Sequence, residues 1–224
     1  MKNNLTEVIF ILDASGSMSS LADDTIGGFN SLIENQKTLD GECKITTVLF
    51  NDISWKIHDC VDVKEIRPLT REQYLTYGCT ALLDTVGKTI DEVGVRLTAT
   101  PEEERPCKVT VVITTDGYEN ASRKYTQEKV KEMIELQQNT YNWTFMFLGA
   151  NIDAEQVGSS YGITASHSHT YTASSRGVTS VYSAVANTLD YIQTKACVCA
   201  CSDNSWSWTE DDDTAISACL SAVE

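Results

Sequence analysis

The chain has 224 residues, enough for one large domain or for one domain with an appendage, and 42% of them are hydrophobic, which is ordinary for a globular protein. The formal net charge of -15 argues against nucleic acid as a partner, because so acidic a chain cannot neutralise many phosphates. No apolar run approaches the length of a membrane span and no signal peptide precedes the first strand-like run, so we expect a cytoplasmic protein that does not bind membranes.

Strand-like and helix-like segments alternate along the chain. Buried strands are predicted from continuous or alternating apolar runs, and helices from apolar residues at helical spacing. The predicted strands are 7–12, 44–50, 53–61, 108–115, 143–148 and 168–172, and the predicted helices are 26–39, 81–95, 127–139, 153–161 and 178–194. The second and third strands flank a short turn and predict an antiparallel hairpin. The other strands are separated by helices, so we predict an α/β fold, a doubly wound and mostly parallel central sheet flanked by helices.

Three polar loops begin where a strand ends or a helix starts. They are residues 13–17 (DASGS), 78–80 (GCT) and 115–117 (TDG). Functional loops gather at the carboxyl ends of parallel strands, so we expect these three to lie close together. Their side chains offer two carboxylates and three hydroxyls, all hard oxygens that suit a hard cation. The predicted ligands of this metal site are Asp13, Ser15, Ser17, Thr80 and Asp116.

Mg²⁺ is the expected ion, with Mn²⁺ or Ca²⁺ as alternatives. Five side-chain oxygens leave part of an octahedral shell open for water or for a group from outside. With only two carboxylates nearby, the ion would stay electrophilic and would accept an acidic side chain. The simplest alternative is that the Ser-Gly-Ser and Thr-Asp-Gly strings are ordinary turns, with Asp13 as a helix cap.

The five residues, in this order, resemble the metal-ion-dependent adhesion site (MIDAS) of von Willebrand factor type A (VWA) domains. The resemblance covers roughly residues 5–195, and segments such as DTIGGFNSLI and GCTALLDTVG are similar to those of small stand-alone VWA proteins of bacteria and their phages. It implies a non-catalytic adhesion or adaptor module. In such a module the hydroxyls would hold the ion directly or nearly so, Asp13 and Asp116 would do so directly or through water, and an Asp or Glu of a protein partner would complete the shell.

Two other functions stay open at this point. A metal-dependent hydrolase or phosphoryl-transfer enzyme would use Asp13 or Asp116, but such enzymes generally carry a second acid close to the first, where this chain has Ser15. Alternatively, the protein is a structural subunit of a larger assembly, either a phage particle or an ATPase-linked complex.

For several polar residues outside the five, a role other than metal binding is considered. For Glu119 and Asn120 exposed loop polarity is favoured over a role in orienting the metal loop, and for Asp84 capping of its helix explains the residue as well as a bond to the site loop. Asn151 and Asp153 end a strand at the same edge of the sheet, and whether they line the rim of the site stays open. His167 and His169 are interpreted as surface residues.

The last part of the chain fits no segment of the VWA pattern. We divide the chain into a VWA domain, residues 1–195, and an acidic extension, residues 196–224, which is expected to form a short hairpin-helix. Period-two alternation predicts a hairpin over 195–208, followed by an acidic turn at 210–213 and a helix over 214–223. The extension either packs on its own domain or serves in docking, including self-association through Trp206 and Trp208. A metal clip of Cys197, Cys199 and Cys201 is disfavoured, because alternating thiols on one strand fit a tetrahedron poorly.

Overall fold

A central six-stranded sheet organises the protein in the computed structural model, which describes residues 1–201 and 209–221. The order of the strands across the sheet is β3-β2-β1-β4-β5-β6, and every neighbouring pair is parallel except β2 and β3, which are antiparallel. The predicted doubly wound α/β class is therefore confirmed. The strands are β1 (Lys2–Asp13), β2 (Glu42–Phe50), β3 (Ser54–Asp62), β4 (Pro106–Thr115), β5 (Thr144–Ala150) and β6 (Ser168–Tyr171).

Six α-helices cover the two faces of this sheet. They are α1 (Ala22–Gln36), α2 (Leu82–Ala99), α3 (Gln127–Tyr141), α4 (Ala154–Ser160), α5 (Ser175–Cys201) and α6 (Glu210–Ser221). Phe10 and Leu12 of β1 face a core that α1, α5 and α6 complete, whereas Ile9 and Ile11 face a second core completed by α2, α3 and α4. Because β1 is buried on both faces, its apolar run is continuous rather than alternating.

The topology brings the ends of β1 and β4 together. These two strands are neighbours in the centre of the sheet, with Leu12 opposite Thr114, although two strands and two helices separate them in the sequence. The direction of strand order reverses between them, and in doubly wound sheets ligands bind at the carboxyl ends of the strands beside such a reversal. Asp13 ends β1, and Asp116 directly follows β4.

The end of the chain differs from its prediction. The prediction of a hairpin strand at residues 195–201 is wrong, because these residues continue α5. A short run of small apolar residues does not distinguish a strand from a helix by its periodicity alone, and the preceding turns of α5 extend into this run. The predicted acidic turn is also wrong, since residues 210–213 form the first turn of α6, where negative charges interact favourably with the helix N-terminus. The second strand of the hairpin, with Trp206 and Trp208, lies outside the described residues, as do the side chains of Cys197, Cys199 and Cys201.

Helix α6 packs on the rest of the protein. Ile216 and Leu220 are buried in the core shared with α5. Asp212, itself buried, accepts hydrogen bonds from Lys195 Nζ, from Tyr191 Oη at 2.8 Å and from the backbone N–H of Thr209 at 2.7 Å. Helix α5 runs across the predicted domain boundary at residue 195, and the division into two parts stays a prediction.

Two further observations concern the surface. The interpretation of His167 as a surface residue is wrong, because it is buried and its Nε2 lies 3.1 Å from Asp213 Oδ1 of α6. Within residues 1–201 and 209–221, no helix has the length and apolar character needed to cross a membrane.

Candidate metal centre

Asp13 stands at the carboxyl end of β1 with its side chain fully buried. Its Oδ1 accepts a hydrogen bond from the backbone N–H of Ser15 at 2.7 Å, and its Oδ2 accepts one from the Thr115 hydroxyl, also at 2.7 Å. The buried Tyr74 hydroxyl donates to the backbone carbonyl of Asp13. The carboxylate is thus held in one orientation by the ends of both β1 and β4.

The two serines of the first loop link Asp13 to the third loop. Residues Gly16–Ser20 form a turn of 3-10 helix, which places Ser15 Oγ and Ser17 Oγ 3.1 Å apart. Ser17 Oγ donates to Asp116 Oδ1 at 2.6 Å. Four of the five predicted residues are therefore connected through hydrogen-bonded oxygens or adjoining backbone.

The loop that carries Thr80 contacts both of the other loops. The carbonyl of Gly78 accepts a hydrogen bond from Gly16 N–H at 3.1 Å, which joins it to the first loop. Gly78 has a φ of +76°, and a Cβ there would lie 2.0 Å from Asp52 Oδ2, so this position requires glycine. Thr80 makes two hydrogen bonds with Asn120, just after the third loop: its N–H donates to Asn120 Oδ1 at 2.9 Å, and its carbonyl accepts the Asn120 N–H at 3.1 Å. Thr80 Oγ1 lies 3.9 Å from the point where a Cβ on Gly117 would stand. All five predicted residues thus meet at one edge of the sheet.

Glu119 holds the third loop against α2, so the interpretation of it as exposed loop polarity is wrong. Its Oε2 accepts the N–H of Leu83 at 2.9 Å, and its Oε1 accepts those of Ala121 and Ser122 at 2.8 and 2.6 Å. Asn120 is exposed, yet its Oδ1 accepts the Thr80 N–H at 2.9 Å. No local sequence signal reveals the contacts of Glu119 with Leu83 and of Asn120 with Thr80, since these partners lie 36 and 40 residues away.

Asp84 reinforces the same attachment from the first turn of α2. Its two oxygens accept the backbone N–H groups of Arg123, Lys124 and Tyr125 at 2.8 to 2.9 Å. These bonds lower the pKa of the Asp84 carboxyl, although burial opposes them. These bonds tie the first turn of α2 to the segment that follows the third loop, and none of them goes to residues 13–17, 78–80 or 115–117.

Asn151 and Asp153 lie at the carboxyl end of β5, beside the site in the sheet. Within the described residues, the side-chain oxygen of Asn151 accepts the Ala173 N–H, and Asp153 caps α4 by accepting the Gln156 N–H. Asn151 therefore links its loop to the loop after β6 and Asp153 orders the start of α4, and neither hydrogen bond goes to one of the five predicted residues.

The electrostatics of the site favour the binding of a positive charge. Burial raises the pKa of the Asp13 carboxyl to about 6, with a further rise from the negative charge of Asp116, and the hydrogen bonds from Thr115 and Ser15 only partly offset this. Burial also raises the pKa of Asp116. In the described parts of the chain, no Lys, Arg or His forms an ion pair with either carboxylate.

These donors fit a hard divalent cation. Two neighbouring carboxylates with no cationic side chain, accompanied by hydroxyls, are the oxygen set that Mg²⁺, Mn²⁺ or Ca²⁺ prefers. Among residues 1–201 and 209–221, no cluster of three or more His, Cys, Asp or Glu side chains offers an alternative metal site.

No family model and no curated protein matches this sequence. Several solved structures, however, are similar to this protein in fold. The vWF domain of the type V pili tip protein Mfa5 from Porphyromonas gingivalis superposes with a TM-score of 0.57 at 9% identity, over 91% of this chain and 98% of that one. The chain has the von Willebrand factor type A fold. The resemblance inferred from the sequence is thereby confirmed at the level of the fold.

Parts of two longer proteins also match this chain. Proximal thread matrix protein 1 of the mussel byssus, in a structure with a zinc-occupied MIDAS motif, matches with a TM-score of 0.52 and 17% identity over 88% of this chain. A mutant of the PilB minor pilin from Streptococcus sanguinis matches with a TM-score of 0.59 and 12% identity over 86% of this chain. The chain spans 46% of the length of the mussel protein and 62% of that of the pilin.

Proposed function

We propose that this protein is a metal-dependent protein-binding module of the adhesion or adaptor type. One divalent cation, Mg²⁺ in preference to Mn²⁺ or Ca²⁺, is held at the carboxyl edge of the sheet, and an Asp or Glu side chain of a partner protein completes its coordination. The ion's contribution is an electrophilic position that attracts a carboxylate. The proposed ligands are Asp13, Ser15, Ser17, Thr80 and Asp116.

One observation carries this proposal: Asp13 and Asp116 lie close together, partly or fully buried, with no cationic side chain paired to them in the described residues. Leaving buried carboxylates without a counter-charge costs free energy, which a bound cation would recover. The chain of hydroxyls between them supplies neutral oxygens, so the ion would keep part of its positive charge. Thr115 acts as a positioning residue, because its hydroxyl orients Asp13.

Binding rather than catalysis is favoured by the way Asp13 is held. Each of its oxygens already accepts a hydrogen bond from the protein, which leaves lone pairs for a cation but no oxygen free to attack a substrate or to accept its proton. Position 15, where a second carboxylate would help phosphoryl transfer, carries a hydroxyl. The mussel structure with a metal in its MIDAS motif supports metal binding here by analogy of fold.

Calorimetric titration with Mg²⁺, Mn²⁺ and Ca²⁺ tests the metal site. We expect one-site binding to the natural protein and at least a tenfold weaker affinity in Asp116→Asn, because a neutral amide replaces one of two carboxylates. Asp23→Asn is the matched control, since Asp23 is an exposed carboxylate in the first turn of α1, six residues after Ser17, and lies 3.6 Å from Arg71 Nη1. Equal heats from Asp116→Asn and the natural protein would rule the site out.

Capture of a partner is tested separately by affinity purification with and without EDTA. We expect one or more proteins to be retained only in the presence of the metal, and to be lost in Asp116→Asn but not in Asp23→Asn. Self-association through the C-terminal extension stays a prediction, and sedimentation of the natural chain over a range of concentrations measures it.

A further inference from the structure

A group of exposed apolar side chains surrounds the loops of the candidate metal site. In the described parts of the chain, eight large hydrophobic residues are more than half exposed. Four of them lie on the loops at this edge of the sheet and form what we term the metal-face rim. These four are Ile53 (62% exposed), Leu75 (54%), Tyr77 (52%) and Tyr118 (60%).

Hydrogen bonds attach each part of the rim to the metal loops. The N–H of Tyr77 donates to the carbonyl of Ala14, between Asp13 and Ser15, at 3.0 Å. Tyr118 follows Asp116 by two residues, in the loop that Glu119 holds against α2. Ile53 belongs to the turn after β2, whose Asn51 carbonyl accepts the N–H of Ala81 at 2.8 Å.

The rim is held in place before any partner binds. Leu75 follows Tyr74, which is fully buried and bonds to the backbone of Asp13, so the segment that exposes Leu75 and Tyr77 is anchored next to the metal loop. A loop whose backbone is already ordered loses little backbone entropy on binding. Tyrosine in particular offers a large amphipathic contact area at a low entropic cost.

Single exposed apolar residues are common on protein surfaces, but four on three adjoining loops around one site form a patch, and such patches mark interaction surfaces. The charge of the chain adds a second argument. Because this protein has a net charge of -15, it repels an approaching acidic protein. The attraction between the partner's single carboxylate and the single ion would have to outweigh that repulsion. Uncharged apolar contacts around the ion supply affinity that this repulsion does not weaken.

We propose that the metal-face rim recognises the residues on either side of the partner's acidic side chain. The partner is then a loop or an extended segment of a protein in which an Asp or Glu is flanked by aromatic or branched aliphatic residues. The inference rests on the proposed function, because it assumes that the partner's carboxylate binds the ion.

A displayed library of peptides, each with one fixed central Asp between randomised positions, provides the test. Selection on the natural protein in Mg²⁺ should enrich aromatic and branched aliphatic residues beside the Asp. An enriched peptide should bind at least tenfold more weakly to Tyr77→Ser/Tyr118→Ser, while calorimetry shows an unchanged affinity for Mg²⁺. The double variant Val95→Ser/Tyr141→Ser is the matched control, since these residues are at least as exposed as the two tyrosines but lie near the ends of α2 and α3, away from the metal loops.

The outcomes separate this inference from the proposed function. If the natural protein does not bind Mg²⁺, or if replacing the fixed Asp by Asn leaves peptide binding unchanged, both fail. If binding requires the Asp and Mg²⁺ but the flanking positions stay random and the rim variant binds as well as the control, the proposed function stands and the role of the rim is refuted.

Discussion

Replacing Asp212 by Asn should destabilise the protein, and the size of the loss follows from the contacts of this residue. The carboxylate is buried, and it accepts hydrogen bonds from Lys195, Tyr191 and the backbone and hydroxyl of Thr209. Against the cost of burial, these bonds lower the pKa of Asp212 from 3.8 to about 2. A difference of that size between the folded and unfolded states corresponds to about 2 kcal/mol of stability at neutral pH.

The sign of the pH dependence provides the sharper test. Because the folded-state pKa is depressed, the contribution of Asp212 is fully present above the unfolded pKa of 3.8 and is lost as the pH falls through about 2. The difference in stability between the natural protein and Asp212→Asn should therefore shrink to about half near pH 3. At neutral pH the melting temperature should fall by about 4 to 8 °C, as expected for a loss of about 2 kcal/mol in a protein of this size.

Thermal and denaturant unfolding at pH 7 and pH 3 measure both effects. Asp211→Asn is the matched control, because Asp211 is an exposed neighbour on the same turn of α6 and should change stability by less than about 0.5 kcal/mol. A melting temperature of Asp212→Asn equal to that of the control, or a difference that does not shrink in acid, would refute the reasoning.

Three further predictions concern the metal site. Mg²⁺ at a hundredfold excess over its dissociation constant should stabilise the fold by about 2.7 kcal/mol, and scanning calorimetry should show no such gain in Asp116→Asn. Glu119→Ala leaves the Leu83 and Ala121 N–H groups without their acceptor, so the free energy of unfolding measured in denaturant should fall by about 1 to 3 kcal/mol. The same variant should bind Mg²⁺ more weakly. Glu132→Ala, on the exposed face of α3, should change neither quantity. Hydrolysis of a generic phosphate ester with Mg²⁺ should not exceed background, and turnover abolished by Asp13→Asn would contradict a pure binding role.

The central part of the fold was predictable because each local pattern agreed with the global arrangement. The apolar run of β1 is continuous because helices cover both sides of the sheet, and Asp13 ends it at the one edge where strands β1 and β4 finish side by side. The proximity of Thr80 to the other loops followed from the same rule, since its loop leads into a helix at that edge.

Contacts between residues distant in the sequence were not predictable. Glu119 and Asp84 look like ordinary loop and helix-end acids, and only the folded chain brings their oxygens to backbone N–H groups about 40 residues away. His167 likewise has no neighbour in the sequence that indicates its burial beside Asp213. At the end of α5, small apolar residues fit either a strand or a helix, and the packing of the preceding turns decides the outcome.

The position of α6 has a practical consequence. It packs against α5 and the turn Ala165–His167, which precedes β6 and so lies at the amino end of that strand, whereas Asp13 and Asp116 lie where β1 and β4 finish. A bead, a biosensor chip or a fused reporter attached through α6 would therefore leave the opposite pole of the molecule unobstructed. Immobilised in this orientation, the protein would present Asp13, Asp116 and the surrounding tyrosines to whatever is passed over the surface.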